Sequence, residues 1–198
     1  RMEISVIVAR TSSGQKAVFP AVELEFHPTK HLVEYLVAPA RLDEATQRTA
    51  QLLAERLADE LKIVGVLAVE MFVMKDGAVW VNEIAPRPHN SGHHTIEANR
   101  TSQFAQHLRA VLDLPLGPCD ALMPAVMVNL LGEDGYEGQA RYTGLEEALA
   151  LPGVYPHLYG KRFTAPFRKM GHITITDPDP ARAHRLAGLV RDKVRVLA

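Results

Sequence analysis

The sequence predicts an α+β fold: a mostly antiparallel sheet with helices packed on it, then a smaller mixed α/β lobe. Three observations lead there. Short apolar runs of strand length recur at residues 3–10, 16–22, 32–38, 63–73 and 79–85. Two stretches, 43–61 and 101–112, carry apolar residues at helical spacing behind a capping residue. The apolar runs ending at Val73 and opening at Val79 are separated by the turn signal Lys75-Asp76-Gly77. Runs joined so tightly form a hairpin, and a hairpin is antiparallel.

In chain order, Ile4, Val6 and Val8 alternate with Ser5, Ile7 and Ala9, as in a buried strand. Thr11-Ser12-Ser13-Gly14 is a turn, 16–22 a second strand and 32–38 a third. Asp43 caps a helix reaching about Leu61, with Ala45, Leu52, Leu53, Leu57 and Leu61 expected as its buried stripe. The hairpin fills 63–85 and a polar loop runs from 86 to about 100. Thr101 or Ser102 caps a helix carrying Phe104, Leu108, Val111 and Leu112. Leu114-Pro115-Leu116-Gly117-Pro118 ends it and is the domain boundary candidate, giving 1–118 and 119–198. Strands follow at 125–131, 154–159 and 172–176. Asp179-Pro180 opens a last helix to about Val196.

Composition narrows the function classes. A chain of 198 residues that is 47% hydrophobic has ample core for a globular fold. A net charge of −1 offers no basic excess for nucleic acid. No run of about 18 apolar residues suggests a membrane span. The single cysteine, Cys119, excludes an internal disulfide framework and fits a reducing, cytoplasmic compartment. The opening Arg1-Met2-Glu3 enters a strand pattern at once, so the chain is expected to continue a longer protein.

The chemistry concentrates on the hairpin. Glu70 lies in the first strand, and Glu83 ends the second, before Ile84-Ala85-Pro86-Arg87-Pro88-His89-Asn90-Ser91-Gly92-His93-His94. Alone, Glu70 reads as a solvated strand residue. With Glu83 and its neighbour Asn82 it reads as the protein half of a Mg²⁺ (or Mn²⁺) nucleotide site, because such ions take one or two carboxylates and complete their shell with phosphate and water oxygens. The histidines could suggest Zn²⁺, but a His89/His93 ligand pair needs a helix, and Pro86, Pro88 and Gly92 predict a loop. Such a loop suits an anionic or hydroxylated ligand, or is simply stitched together by its own turns. A second basic cluster, Lys161, Arg162, Arg168, Lys169 and His172, could clamp a phosphate. On its own it reads more simply as a solvated loop. No glycine-rich phosphate loop, nucleophile elbow or paired-cysteine motif is present.

Together these stretches resemble the C-terminal half of ATP-grasp enzymes, specifically the 5-(carboxyamino)imidazole ribonucleotide synthases of purine biosynthesis. The segments carrying the resemblance are 3–10, 64–70, 82–93, 101–110 and Arg168-Lys169-Met170-Gly171-His172, which span nearly the whole chain. The resemblance implies a C-terminal ATP-grasp lobe followed by a small C-terminal domain. It implies Glu70 and Glu83 as metal ligands under the phosphates of ATP, and Arg87 near the transferring phosphate. Glu3, His27, Asn82 and Glu83 would line the nucleotide. Asn90, Ser91, Lys161 and Arg168 would bind aminoimidazole ribonucleotide and its phosphate. Bicarbonate would be the third substrate, and dimers are known in the family.

Two departures stand out. Glu23-Leu24-Glu25-Phe26-His27 replaces the family's Glu-Asn-x-His, and Ala165-Pro166-Phe167-Arg168 replaces Arg-Pro-Gly-Arg. The family's N-terminal domain and glycine-rich lobe do not appear, so these 198 residues alone would hold half of the ATP clamp and are expected not to turn over ATP. A different ATP-grasp ligase, such as a formate-dependent glycinamide ribonucleotide transformylase, or a non-catalytic interaction fragment are the alternatives.

Overall fold

The computed structural model describes residues 2–26 and 33–198. The chain divides into two compact units, Arg1–Glu25 with Leu36–Met123, and Phe26–Tyr35 with Pro124–Ala198.

The first unit is built on strands β1 (Met2–Arg10), β2 (Lys16–Val18) and β3 (Val22–Phe26), with β4 (Val33–Ala38) entering it at Leu36. The expected single strand over 16–22 is broken, because Pro20 has no N–H to give a ladder. Helix α1 (Glu44–Glu60) starts where Asp43 accepts a hydrogen bond from the Thr46 N–H at 2.8 Å. Its buried stripe is Ala50, Ala54 and Ala58, with Leu53 and Leu57 flanking it. Ala45, Leu52 and Leu61, expected inside, are exposed. Alanines let the helix backbone lie close to the sheet, which shifts the buried face by a fraction of a turn.

Strands β5 (Gly65–Val73) and β6 (Val79–Ala85) form the predicted hairpin. Gly77 supplies a φ of +84° in its turn, and Asp76 accepts from the Ala78 N–H at 3.1 Å. Neighbouring strands run in the order β3-β1-β5-β6, antiparallel throughout. Side chains alternate across this sheet. Ile4, Val6, Val8, Leu67, Val69 and Met71 join α1 in one core. Ile7, Ala9, Val66, Ala68 and Ala85 form the second with Phe19 and Cys119.

The segment after the hairpin is not a plain loop: it contains a 3₁₀ turn at Asn90–Gly92 and a short helix α2 (Thr95–Ala98). Helix α3 (Gln103–Val111) follows, with Ser102 as its cap. Its buried positions are Gln103, Gln106 and Ala110. Phe104, Leu108, Val111 and Leu112 are exposed, the reverse of the apolar-stripe reading. The irregular backbone beneath α3 needs hydrogen-bond partners, and glutamine amides supply both a donor and an acceptor.

The second unit holds β7 (Ala125–Leu131), β8 (Gly138–Gln139), β9 (Arg141–Thr143), α4 (Leu145–Leu149), β10 (Val154–Leu158), β11 (Phe163–Thr164), β12 (Lys169–Thr176), α5 (Pro180–Lys193) and β13 (Arg195–Leu197). The antiparallel order is β10-β12-β7. Helix α5 begins with Asp179 as cap and Pro180 in the first turn, but stops short of Val196. Residues Arg195–Leu197 pair instead with β9. Among the described residues, no helix is long and apolar enough to cross a membrane.

Candidate metal–nucleotide site

Register brings the site together. Ser5 faces Glu70 across the β1–β5 ladder, and Glu70 faces Glu83 across β5–β6. These three residues form one polar row on the sheet face opposite α1. A bulge follows immediately, between Glu70 and Met71, so that the register shifts by one residue beside the Glu70–Glu83 pair and pairing resumes at Met71 and Val81. Bulges re-aim side chains and are over-represented beside active sites. Asn82 sits at this irregularity and is exposed. Glu3 lies two residues before Ser5, on the same face.

A third group completes the cluster. Glu70, Glu83 and His89 each offer a donor atom, and these atoms lie within 4.8 Å of one another. The His89 Nε2 is 3.9 Å from a Glu70 oxygen. Two carboxylates and an imidazole fit a divalent cation, and like charges set directly opposite would otherwise repel. The sequence had suggested His89 only as a zinc ligand with His93 and His94. Instead His93 stacks on Phe104, at 5.6 Å between ring centroids, and His94 is buried. Burial pushes the His94 pKa down to about 4, so its ring stays neutral above that pH.

The loop holding His89 is fixed from both sides. Its Nδ1 lies 3.0 Å from the Ser91 hydroxyl, which lies 2.8 Å from the Ser5 hydroxyl on the sheet. Gln103 accepts from the His89 N–H at 2.9 Å and donates to the His89 carbonyl at 2.7 Å and to His93 Nδ1 at 2.9 Å. Gly92 permits this seating: a Cβ there would lie 2.3 Å from Ile7 and 2.5 Å from Gln103. In the sequence Gln103 stands out only as part of the 101–110 stretch that carries the family resemblance, and nothing there assigns it this role.

The remaining site residues are placed as follows. Arg87 is exposed, with one guanidinium N–H donating to the Pro88 carbonyl at 3.1 Å. Asn90 presents a buried Oδ1 with no partner among the described residues. Ser91 is buried and its hydroxyl is taken up by Ser5 and His89. His27 lies outside the described residues. In the second unit, Lys161 and Arg168 stand at the two ends of the β10–β12 connection. Lys161 Nζ donates to the Lys169 carbonyl at 2.6 Å and sits 5.7 Å from the Tyr159 ring centroid. Arg168 donates to the Phe163 carbonyl at 3.2 Å.

The connection is pinned on Gly132, whose carbonyl accepts from the Phe167 N–H at 2.8 Å and whose N–H donates to the Arg168 carbonyl at 2.9 Å. Phe167 has a φ of +62°. That is the left-handed region which glycine enters freely and a residue with a bulky side chain rarely does.

Comparison with known proteins places these features together. Residues 1–104 match the ATP-grasp domain, and residues 125–185 match the phosphoribosylaminoimidazole carboxylase C-terminal domain. The N5-carboxyaminoimidazole ribonucleotide synthase of Bacillus subtilis is 47% identical over 175 residues, covering 88% of this chain and 44% of the relative. The phosphoribosylaminoimidazole carboxylase of Schizosaccharomyces pombe is 41% identical over 198 aligned residues, covering 96% of this chain and 35% of its own length. The crystal structure of the Thermotoga maritima N5-carboxyaminoimidazole ribonucleotide synthetase superposes with a TM-score of 0.93 at 47% identity, over 100% of this chain and 53% of that one. The Aspergillus clavatus synthase, solved with ADP and 5-aminoimidazole ribonucleotide, gives 0.86 at 36% identity over 97% and 51%. The chain thus spans less than half the length of those two sequence relatives. Its carboxylate hairpin and more than half of its residues fall within the ATP-grasp match, and the chain belongs to the ATP-grasp family.

Proposed function

We propose that this chain supplies the metal–nucleotide half and the ribonucleotide-phosphate loop of an enzyme of de novo purine biosynthesis. The reaction is the carboxylation of 5-aminoimidazole ribonucleotide to 5-(carboxyamino)imidazole ribonucleotide, driven by ATP and bicarbonate. The observation that carries this reading is the register-locked pair Glu70 and Glu83 beside the loop bearing Arg87, His89 and Asn90. The relatives named above support the choice of substrate. The nucleotide function falls in residues 1–118 and phosphate recognition in 119–198. The working enzyme is a cytoplasmic homodimer.

Glu70 and Glu83 hold the divalent cation. Mg²⁺ or Mn²⁺, when bound there, supplies charge neutralisation at the phosphates of ATP. Glu3, His27, Asn82 and Glu83 line the nucleotide. A bicarbonate oxygen attacks the γ-phosphorus, and the bond to the β-phosphate oxygen breaks to release ADP. Arg87 stabilises the negative charge spread over the transferring group. The amine of aminoimidazole ribonucleotide then attacks the carbon of the resulting carboxyphosphate, or of CO₂ released from it. Phosphate departs and the amine loses a proton. Asn90 contacts this second substrate, and Ser91 contributes chiefly the shape of the loop. Lys161 and Arg168 hold the substrate's phosphate, remote binding energy that keeps the amine in place.

The test is ADP formation by the natural protein with ATP, bicarbonate and aminoimidazole ribonucleotide. Arg168→Ala should raise the KM for aminoimidazole ribonucleotide roughly 10–150-fold, the worth of one charge-assisted contact. The KM for ATP should stay put. ADP release driven by formate and glycinamide ribonucleotide instead would overturn the reading.

A further inference from the structure

A small cavity in the first unit carries an inference apart from the nucleotide chemistry. It lies between the β3 region and α2 and is lined by Pro20, Val22, Pro39, His94, Asn99 and Met123 among others. Its free volume is about 10 Å³. Most of its wall is apolar. The two polar exceptions are His94 and Asn99, 4% and 6% exposed.

Both present a buried atom with no hydrogen-bond partner among the described residues: Nδ1 of His94 and Oδ1 of Asn99. The Asn99 amide donates to the Cys119 carbonyl at 2.9 Å, which fixes the oxygen as the unpartnered atom. The buried His94 ring is neutral at ordinary pH, so its Nδ1 bonds a water as acceptor or as donor according to the tautomer.

We propose that this cavity is a binding site for one water molecule, which donates a hydrogen to Asn99 Oδ1 and hydrogen-bonds to His94 Nδ1. A cavity needs roughly 10–15 Å³ of such space to hold a water, so the volume admits one and nothing larger. A metal ion is a poor match, since two neutral donors fall short of the six or more oxygens a hard cation takes. The water ties both ends of α2, directly after the loop that carries His89 and Asn90, to a single point.

The direct test is a crystal structure of the natural protein at about 1.5 Å or better, paired with water-¹⁷O relaxation dispersion, which counts long-lived buried waters. The expected result is a density peak within about 2.7–3.2 Å of both atoms. Ala98→Ser adds a hydroxyl at the cavity wall. It should remove the peak and lower the dispersion amplitude by one water. An empty cavity in the wild type, a peak touching only one of the two atoms, or an unchanged water count in Ala98→Ser would each overturn the proposal.

Discussion

The two faces of the β1–β5 pair are made by the same strands and do opposite work. On the α1 face, Val6, Val8, Leu67 and Val69 meet the alanines of α1 in an apolar core, with Arg10 and Lys16 pairing with Asp59 at its edge. On the other, Ser5, Glu70 and Glu83 stand in one row beneath the loop that holds His89 and Asn90. The first face gains stability from burial. The second places two like charges directly opposite each other, which costs stability in a metal-free chain. The strand period of two keeps these demands apart, so a sheet can carry a strained site on one face and be held by the other.

Substitutions on the two faces should therefore separate stability from chemistry. Leu67→Ala, on the α1 face, should cost about 2–5 kcal/mol, read as a lower urea midpoint. A cost under about 1 kcal/mol would show that the α1 face is not the main support.

Acid should act on the polar side, through His94. Its folded pKa of about 4 lies below its ordinary 6.5. The unfolded chain therefore takes up a proton between these values while the folded chain resists it. Its contribution is fully present above pH 6.5 and is lost as pH falls toward 4, by about 3 kcal/mol. Urea titrations from pH 7 to 4 measure this, and His94→Gln should flatten the slope. An equal slope in the variant would assign it to other groups.

The smallest effect belongs to the second unit's basic loop. A left-handed backbone costs a non-glycine residue about 1–2 kcal/mol, and glycine loses about 0.5–1 kcal/mol to chain entropy. Phe167→Gly should thus change stability by less than about 1 kcal/mol, since relief of the backbone is offset by loss of a residue that is 42% exposed and otherwise buried. Destabilisation by more than that would mean that the ring anchors the loop.

The same contrast explains what could be read from the sequence. The hairpin was legible because strand alternation and a Lys-Asp-Gly turn fix register without help from distant residues, and register alone sets Glu70 opposite Glu83. The caps of α1, α3 and α5 were legible for the same local reason. What escaped was non-local. Helix α3 buries Gln103 and Gln106 because loops far along the chain need amide partners, and no local pattern announces that demand. His89 joined the carboxylates through a loop seated by Ser5, Gln103 and Gly92, three residues scattered over the first unit. Residues 195–197 left the last helix because β9 offered a strand partner.

The most direct measurement of the central idea is ATP turnover by a Glu83→Gln variant of the natural protein, set beside its urea stability. The amide keeps the shape of the carboxylate and removes its charge. Bicarbonate-dependent ADP release should fall by about 10³-fold or more, equivalent to roughly 4 kcal/mol. Stability of the metal-free protein should stay level or rise by about 0.2–1 kcal/mol as the facing charges are relieved. Unchanged bicarbonate-dependent ADP release would contradict the metal role of the Glu70–Glu83 pair.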